Sequence, residues 1–164
     1  MKSLTRSTCV RTRSLTMLAS GLMLLFAVSP LAAQETEAPD AADAADDTAA
    51  AIEGATAAAT EWLALIDAGE YEESWKEAAS AFQDALTPAV WESALTDARS
   101  QFEPFGQRTL TSSQQMTDPP GAPAGDYVIL QYQTEVSEDR TVTETVVPMK
   151  EGDHWKVSGY FVQP

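Results

Sequence analysis

An α+β domain is expected, with three N-terminal helices packed on one face of an antiparallel sheet of about four strands. Two observations lead there. Between Ala51 and Phe102, apolar residues recur at spacings of three and four, whereas after Gly106 the period falls to two. The two regimes are segregated along the chain, helices first and strands after, which is the order of an α+β domain. The domain is expected to span residues 51–164.

Two segments precede it. Lys2, Arg6, Arg11 and Arg13, with no acid among them, stand before the apolar run Met17–Val28 and the small residues up to Ala33. A basic head, a short apolar core and small residues describe a secretory signal peptide over residues 1–33. The run is short of the roughly 20 residues that a membrane-spanning helix needs, so no stable anchor is expected after cleavage. An uncleaved anchor is the alternative. Gln34, not cysteine, follows Ala33, and Thr12 separates Arg11 from Arg13, so neither a lipoprotein nor a twin-arginine signal is spelled out. The expectation is export to the periplasm or the medium. Residues 34–50 hold six acids, no base and no bulky apolar side chain, and are expected as a disordered acidic linker.

Composition narrows the chemistry. Cys9 is the only cysteine and lies in the leader, so the domain has no disulfide, no thiolate nucleophile and no cysteine–zinc site. The whole chain carries a formal charge of −15; without the leader's four bases, six basic residues face 25 acidic ones, a formal −19. Such a field repels nucleic acid, whose binding needs Lys and Arg on phosphates. No glycine-rich phosphate loop, nucleophile elbow or metal-binding helix motif is present, and no cofactor is expected.

The elements follow in order. Ile52, Ala55, Ala59, Leu63 and Ile66 form one buried stripe with Trp62 beside it, and Gly69 stops this first helix. The second begins near Tyr71 and carries Trp75, Ala78, Ala79 and Phe82 on one face. Thr87-Pro88 is an N-cap followed by a first-turn proline, opening a third helix with Val90, Trp91, Ala94, Leu95 and Ala98 inward. Strands are expected at 108–116, 127–136, 141–150 and from His154 to Val162. Alternation directs Val128, Leu130, Tyr132 and Val136 to one face. In the last strand it directs Trp155, Val157, Gly159 and Phe161 inward, and His154, Lys156, Ser158, Tyr160 and Val162 outward. His154, the only histidine, then sits on the surface after a turn. The four tryptophans read as core anchors rather than a sugar platform.

Glu144 alternates with Val142 and Val146 and so points inward, where a carboxylate must be paired or neutralised. Arg99, at the end of the third helix, and Arg108, at the start of the first strand, are its expected partners. The plain reading is a structural ion pair, or an outward glutamate if Thr143, Thr145 and Val147 are the buried set. The functional reading is that Glu144 with an arginine lines a pocket for a small polar ligand. Asp67 with Tyr71 or Tyr132 could supply the acid and phenol of a proton-transfer enzyme, although Asp67–Tyr71 also reads as a helix-end turn.

The segments Trp62–Ala79, Thr87–Trp91 with Arg99 and Gly106, Gly121–Val136, and Glu144–Val147 with Glu151–Val162 resemble domain-of-unknown-function family 4019, small exported bacterial proteins. That resemblance implies a curved sheet wrapped on a helix, an NTF2-like or cystatin-like cone. It implies no reaction and no catalytic residues. The expectation is therefore a non-enzymatic module of the cell envelope that binds a small ligand or an envelope protein. The alternatives are a small NTF2-like lyase or isomerase, and a structural module that forms a homodimer by pairing its sheet, with the strand at 108–116 as the candidate edge.

Overall fold

The computed structural model describes residues 41–137 and 140–164. Four helices, α1 (Ala41–Asp67), α2 (Tyr71–Glu77), α3 (Ser80–Ala85) and α4 (Pro88–Arg99), precede four strands, β1 (Arg108–Thr117), β2 (Asp126–Val136), β3 (Arg140–Glu151) and β4 (His154–Gln163). The strands form one antiparallel meander in the order β1-β2-β3-β4. The α+β class and the four strands agree with the sequence reading; the helix count does not.

α1 starts ten residues before the expected boundary. Residues 41–50, read as the end of the linker, are helical, and the side chains of 43–50 are exposed. Alanine has the highest helix propensity, and Asp43 in the first turn suits the positive end of the helix dipole. These turns extend a helix that packing secures further on. The rest of the linker and the signal segment lie outside the described residues. At its other end α1 stops as expected: Gly69 takes φ 77°, its N–H donates to Ile66 O at 3.0 Å, and Glu70 N–H donates to Leu65 O at 2.9 Å.

The expected second helix is two helices. Its break falls at Ala78-Ala79, both extended and fully buried. The Ala79 N–H leaves the helix to donate to Val157 O of β4 at 2.8 Å. The frayed ends find side-chain partners. Gln83 Nε2 donates to Lys76 O and Ala78 O, each at 2.9 Å, and Glu151 accepts from Ser80 N at 2.7 Å and from Ser80 Oγ at 2.5 Å. Alanine carries no signal for such a break, because the cause is a strand brought close only by folding. α4 opens as the sequence indicates, with Pro88 in its first turn and Thr87 Oγ1 accepting from Val90 N at 3.4 Å.

The core lies between the helices and the sheet. Ala55, Ala59, Trp62, Leu63 and Ile66 of α1 meet Val128, Leu130, Val146 and Val157. Trp62, Trp91, Phe82 and Tyr160 fill the centre with ring centroids 5.0–6.3 Å apart. The indole nitrogens of three tryptophans are satisfied: Trp62 donates to Ser74 O at 2.7 Å, Trp91 to Ser74 Oγ at 3.0 Å, and Trp75 to Leu86 O at 2.7 Å. Ser74, itself fully buried, thus pins two of them.

One correction matters for the site. Val147 pairs with Gly159 but Pro148 pairs with Val157, so Ser158 is an extra residue in β4. The bulge inverts the alternation beyond it. Tyr160 is buried and Phe161 is 58% exposed, the reverse of the expected assignment. Pro148 has no N–H to give the ladder, which suits the irregularity, and Ser158 Oγ donates to Val147 O at 2.8 Å across it.

Candidate functional site

The register of the sheet places Glu144 at the centre of a polar cluster. It pairs with Tyr132 on β2 and with Val162 on β4, and its side chain is fully buried, as its alternation with Val142 and Val146 indicates. Each of its oxygens is held. Oε2 accepts from Arg108 Nε and from Thr134 Oγ1, both at 2.5 Å. Oε1 accepts from Arg108 Nη2 at 3.2 Å and from the Tyr160 hydroxyl, and Arg99 Nη1 lies 3.6 Å away. Both arginines expected as partners are present, and they are joined by two hydroxyls.

Asp67, at the end of α1, closes the cluster on the solvent side. It accepts from Arg99 Nη2 at 2.7 Å, from Arg108 Nη2 at 2.9 Å, and from Arg108 Nη1. Burial would raise its pKa, but the hydrogen bonds and charges of Arg108 and Arg99 outweigh it and hold the carboxyl below its ordinary value. For Arg108, burial works against the charge, while Asp67 and Glu144 hold its pKa above the usual guanidinium value. Arg99 is 4% exposed and lies over the Phe105 ring, 3.7 Å from its centroid. Its Nη1 donates to the Tyr160 hydroxyl at 3.2 Å, so that hydroxyl accepts from one partner and donates to Glu144. Burial, with the Glu144 charge beside it, raises the Tyr160 phenol far above its normal range.

The cluster opens on one side. Asp67 and Arg108 stand beside a groove of about 330 Å³ that runs along α1 and is also lined by Thr60, Leu63, Ala64 and Tyr132. The side chains of Asp67 and Arg108 are 36% and 16% exposed. Among the described residues, the buried Tyr132 hydroxyl has no hydrogen-bond partner; the nearby Thr60 hydroxyl turns instead to Thr56 O of its own helix, at 2.8 Å. Burial raises the Tyr132 phenol.

Five of the six residues singled out in the sequence therefore meet here: Asp67, Arg99, Arg108, Tyr132 and Glu144. Tyr71 does not. It packs half-buried against the core at the start of α2 and lines a different surface depression with Glu72, Glu73 and Lys76. Two members were missed. Tyr160 was hidden by the bulge, for which Gly159 inside a strand was the available signal. Thr134 alternates with Tyr132 and Val136 and could have been read as buried. His154 is exposed as expected and borders a separate groove of about 370 Å³ with Glu61, Glu77 and Trp155. Among the described residues, no group of three His, Cys, Asp or Glu side chains is placed to hold a metal ion. No helix among them is long and apolar enough to cross a membrane.

The fold and this cluster define a class: a disulfide-free α+β domain with a helical layer joined to an antiparallel meander through a buried ion-pair network. The family model for proteins of unknown function DUF4019 matches residues 58–160, and the chain belongs to that family. Among curated proteins and among solved structures, nothing matches the chain.

Proposed function

We propose that the chain is a non-enzymatic binding module of the bacterial envelope, exported by the signal at residues 1–33, and that it takes a small polar ligand in the groove beside Asp67, Arg108 and Tyr132. The observation that carries this reading is the saturation of Glu144. Its oxygens already accept from Arg108, Thr134 and Tyr160, so it has no lone pair poised for a substrate proton. The centre is filled by Trp62, Trp91 and Phe82, which argues against a lyase or isomerase pocket there. The groove, in contrast, offers Asp67 Oδ2, which accepts from Arg108 Nη1 alone, and the rim of Arg108 against an apolar wall of Leu63 and Ala64. The formal charges of Asp67, Glu144, Arg99 and Arg108 cancel, which favours a neutral ligand over an ion.

In the same reading the fold is a relative of the NTF2-like and cystatin-like cones. Its support is one long helix, α1, packed across all four strands of the sheet.

The test is an NMR amide-shift titration of the full chain with acetamide, acetate and methylammonium in turn. Acetamide is expected to shift Thr60, Ala64, Asp67 and Arg108 most. If none of the three probes moves a groove residue, the binding site is not there. Tyr132→Phe, which leaves the ion pairs intact, should alter the acetamide response without unfolding the protein.

A further inference from the structure

The sheet leaves the outer edge of β4 open. The Val157 carbonyl at its start is taken by Ala79. Among the described residues, no backbone group of 158–163 bonds to anything beyond the β3 ladder. Strand geometry turns every second residue of Gly159–Gln163 outward with a free N–H and C=O, over about 17 Å. Beside this edge α4 forms the wall of an apolar groove of about 300 Å³, with Trp91, Ala94, Leu95 and Ala98 facing Tyr160 and Val162. Val90, 52% exposed, continues the same helical row, and Phe161, 58% exposed, stands at the strand itself, its ring lying over Gly159.

Charge selects the occupant. The chain carries a formal −15, yet Val157–Pro164 and the row Val90, Ala94, Ala98 contain no charged residue. On so acidic a molecule this is a strip where two copies meet without like charges opposed. The opposite edge, β1, carries a bulge of its own between Leu110 and Ser112, and it is less suited because the groove beside it holds the charged Asp67 and Arg108.

We infer that this edge is a homodimer interface, with β4 of one copy adding antiparallel to β4 of the second about a two-fold axis at Phe161. Gly159 then lies opposite Gln163 of the other copy, and the two Phe161 rings face each other at the axis. The two meanders join as one eight-stranded sheet, and the α4 rims approach across the same axis, where Ala94 and Ala98 permit close packing.

Residues facing each other in an antiparallel pair have Cα atoms about 4.5–5.5 Å apart, within disulfide reach. The experiment therefore uses full-length chain carrying Cys9→Ser and, separately, Phe161→Cys or Leu110→Cys, under mild oxidation, alongside light scattering of the unaltered chain. The expected results are a dimer mass, disulfide-linked dimer from Phe161→Cys alone, and a monomer of unchanged far-ultraviolet circular dichroism from Phe161→Lys. A monomer mass throughout the micromolar range with no cross-link at Phe161→Cys overturns the inference. So does cross-linking at Leu110→Cys in its place.

Discussion

At the scale of single residues, Glu144 decides the site. A buried carboxylate survives only if its charge is answered, and here two arginines and two hydroxyls answer it. Removing one partner leaves the others unmatched, so Glu144→Gln should cost about 3–5 kcal/mol, read as a lower urea midpoint. Tyr160→Phe keeps the ring packing and removes one hydroxyl from the carboxylate; a loss of about 1–3 kcal/mol is expected by the same measurement. Asp67 has a pH signature. Its folded pKa lies below its unfolded value, so its contribution is fully present above about pH 4 and is lost as pH falls through the folded value. Between pH 4 and pH 2 the stability of Asp67→Asn should therefore fall less steeply than that of the unaltered chain. The convergence of Glu144 on Arg99 and Arg108 was legible because it rests on strand alternation and a desolvation cost, both visible in one dimension. Tyr160 was not, because its direction depends on one inserted residue, Ser158.

At the scale of elements, the same contrast recurs. The end of α1 and the start of α4 are written locally, in Gly69 and in Thr87-Pro88, and both are found where those residues stand. The division of α2 from α3 is not local. It exists because Ala79 gives its N–H to β4, and Gln83 then caps the carbonyls left behind. Gln83→Ala should cost about 1–2 kcal/mol for its two hydrogen bonds, with no change in the denaturant slope. The opening turns of α1 were misread for a different reason. Their Ala- and Asp-rich composition fits a tether as well as a solvated helix, and no buried side chain at 43–50 distinguishes them. Ala45→Pro should accordingly lower the helical circular dichroism while changing stability by less than about 0.5 kcal/mol.

At the scale of the whole molecule, the polar cluster is a fastener between layers. Asp67 belongs to α1, Arg99 to α4, Arg108 to β1, Thr134 to β2, Glu144 to β3 and Tyr160 to β4, so six of the eight elements among the described residues meet in one network. A chain without a disulfide has few other ways to fix a helical layer on a sheet beyond apolar packing, and a charged network adds direction where packing alone does not. The groove lies at the open rim of this fastener, so a ligand there would touch Asp67 and Arg108 without entering the core. The most direct test is a double-mutant cycle between Glu144→Gln and Arg108→Gln, followed by urea unfolding at neutral pH. A coupling above about 1.5 kcal/mol is predicted for partners locked in one buried network. A coupling below about 0.5 kcal/mol would contradict it, since the two residues would then act independently.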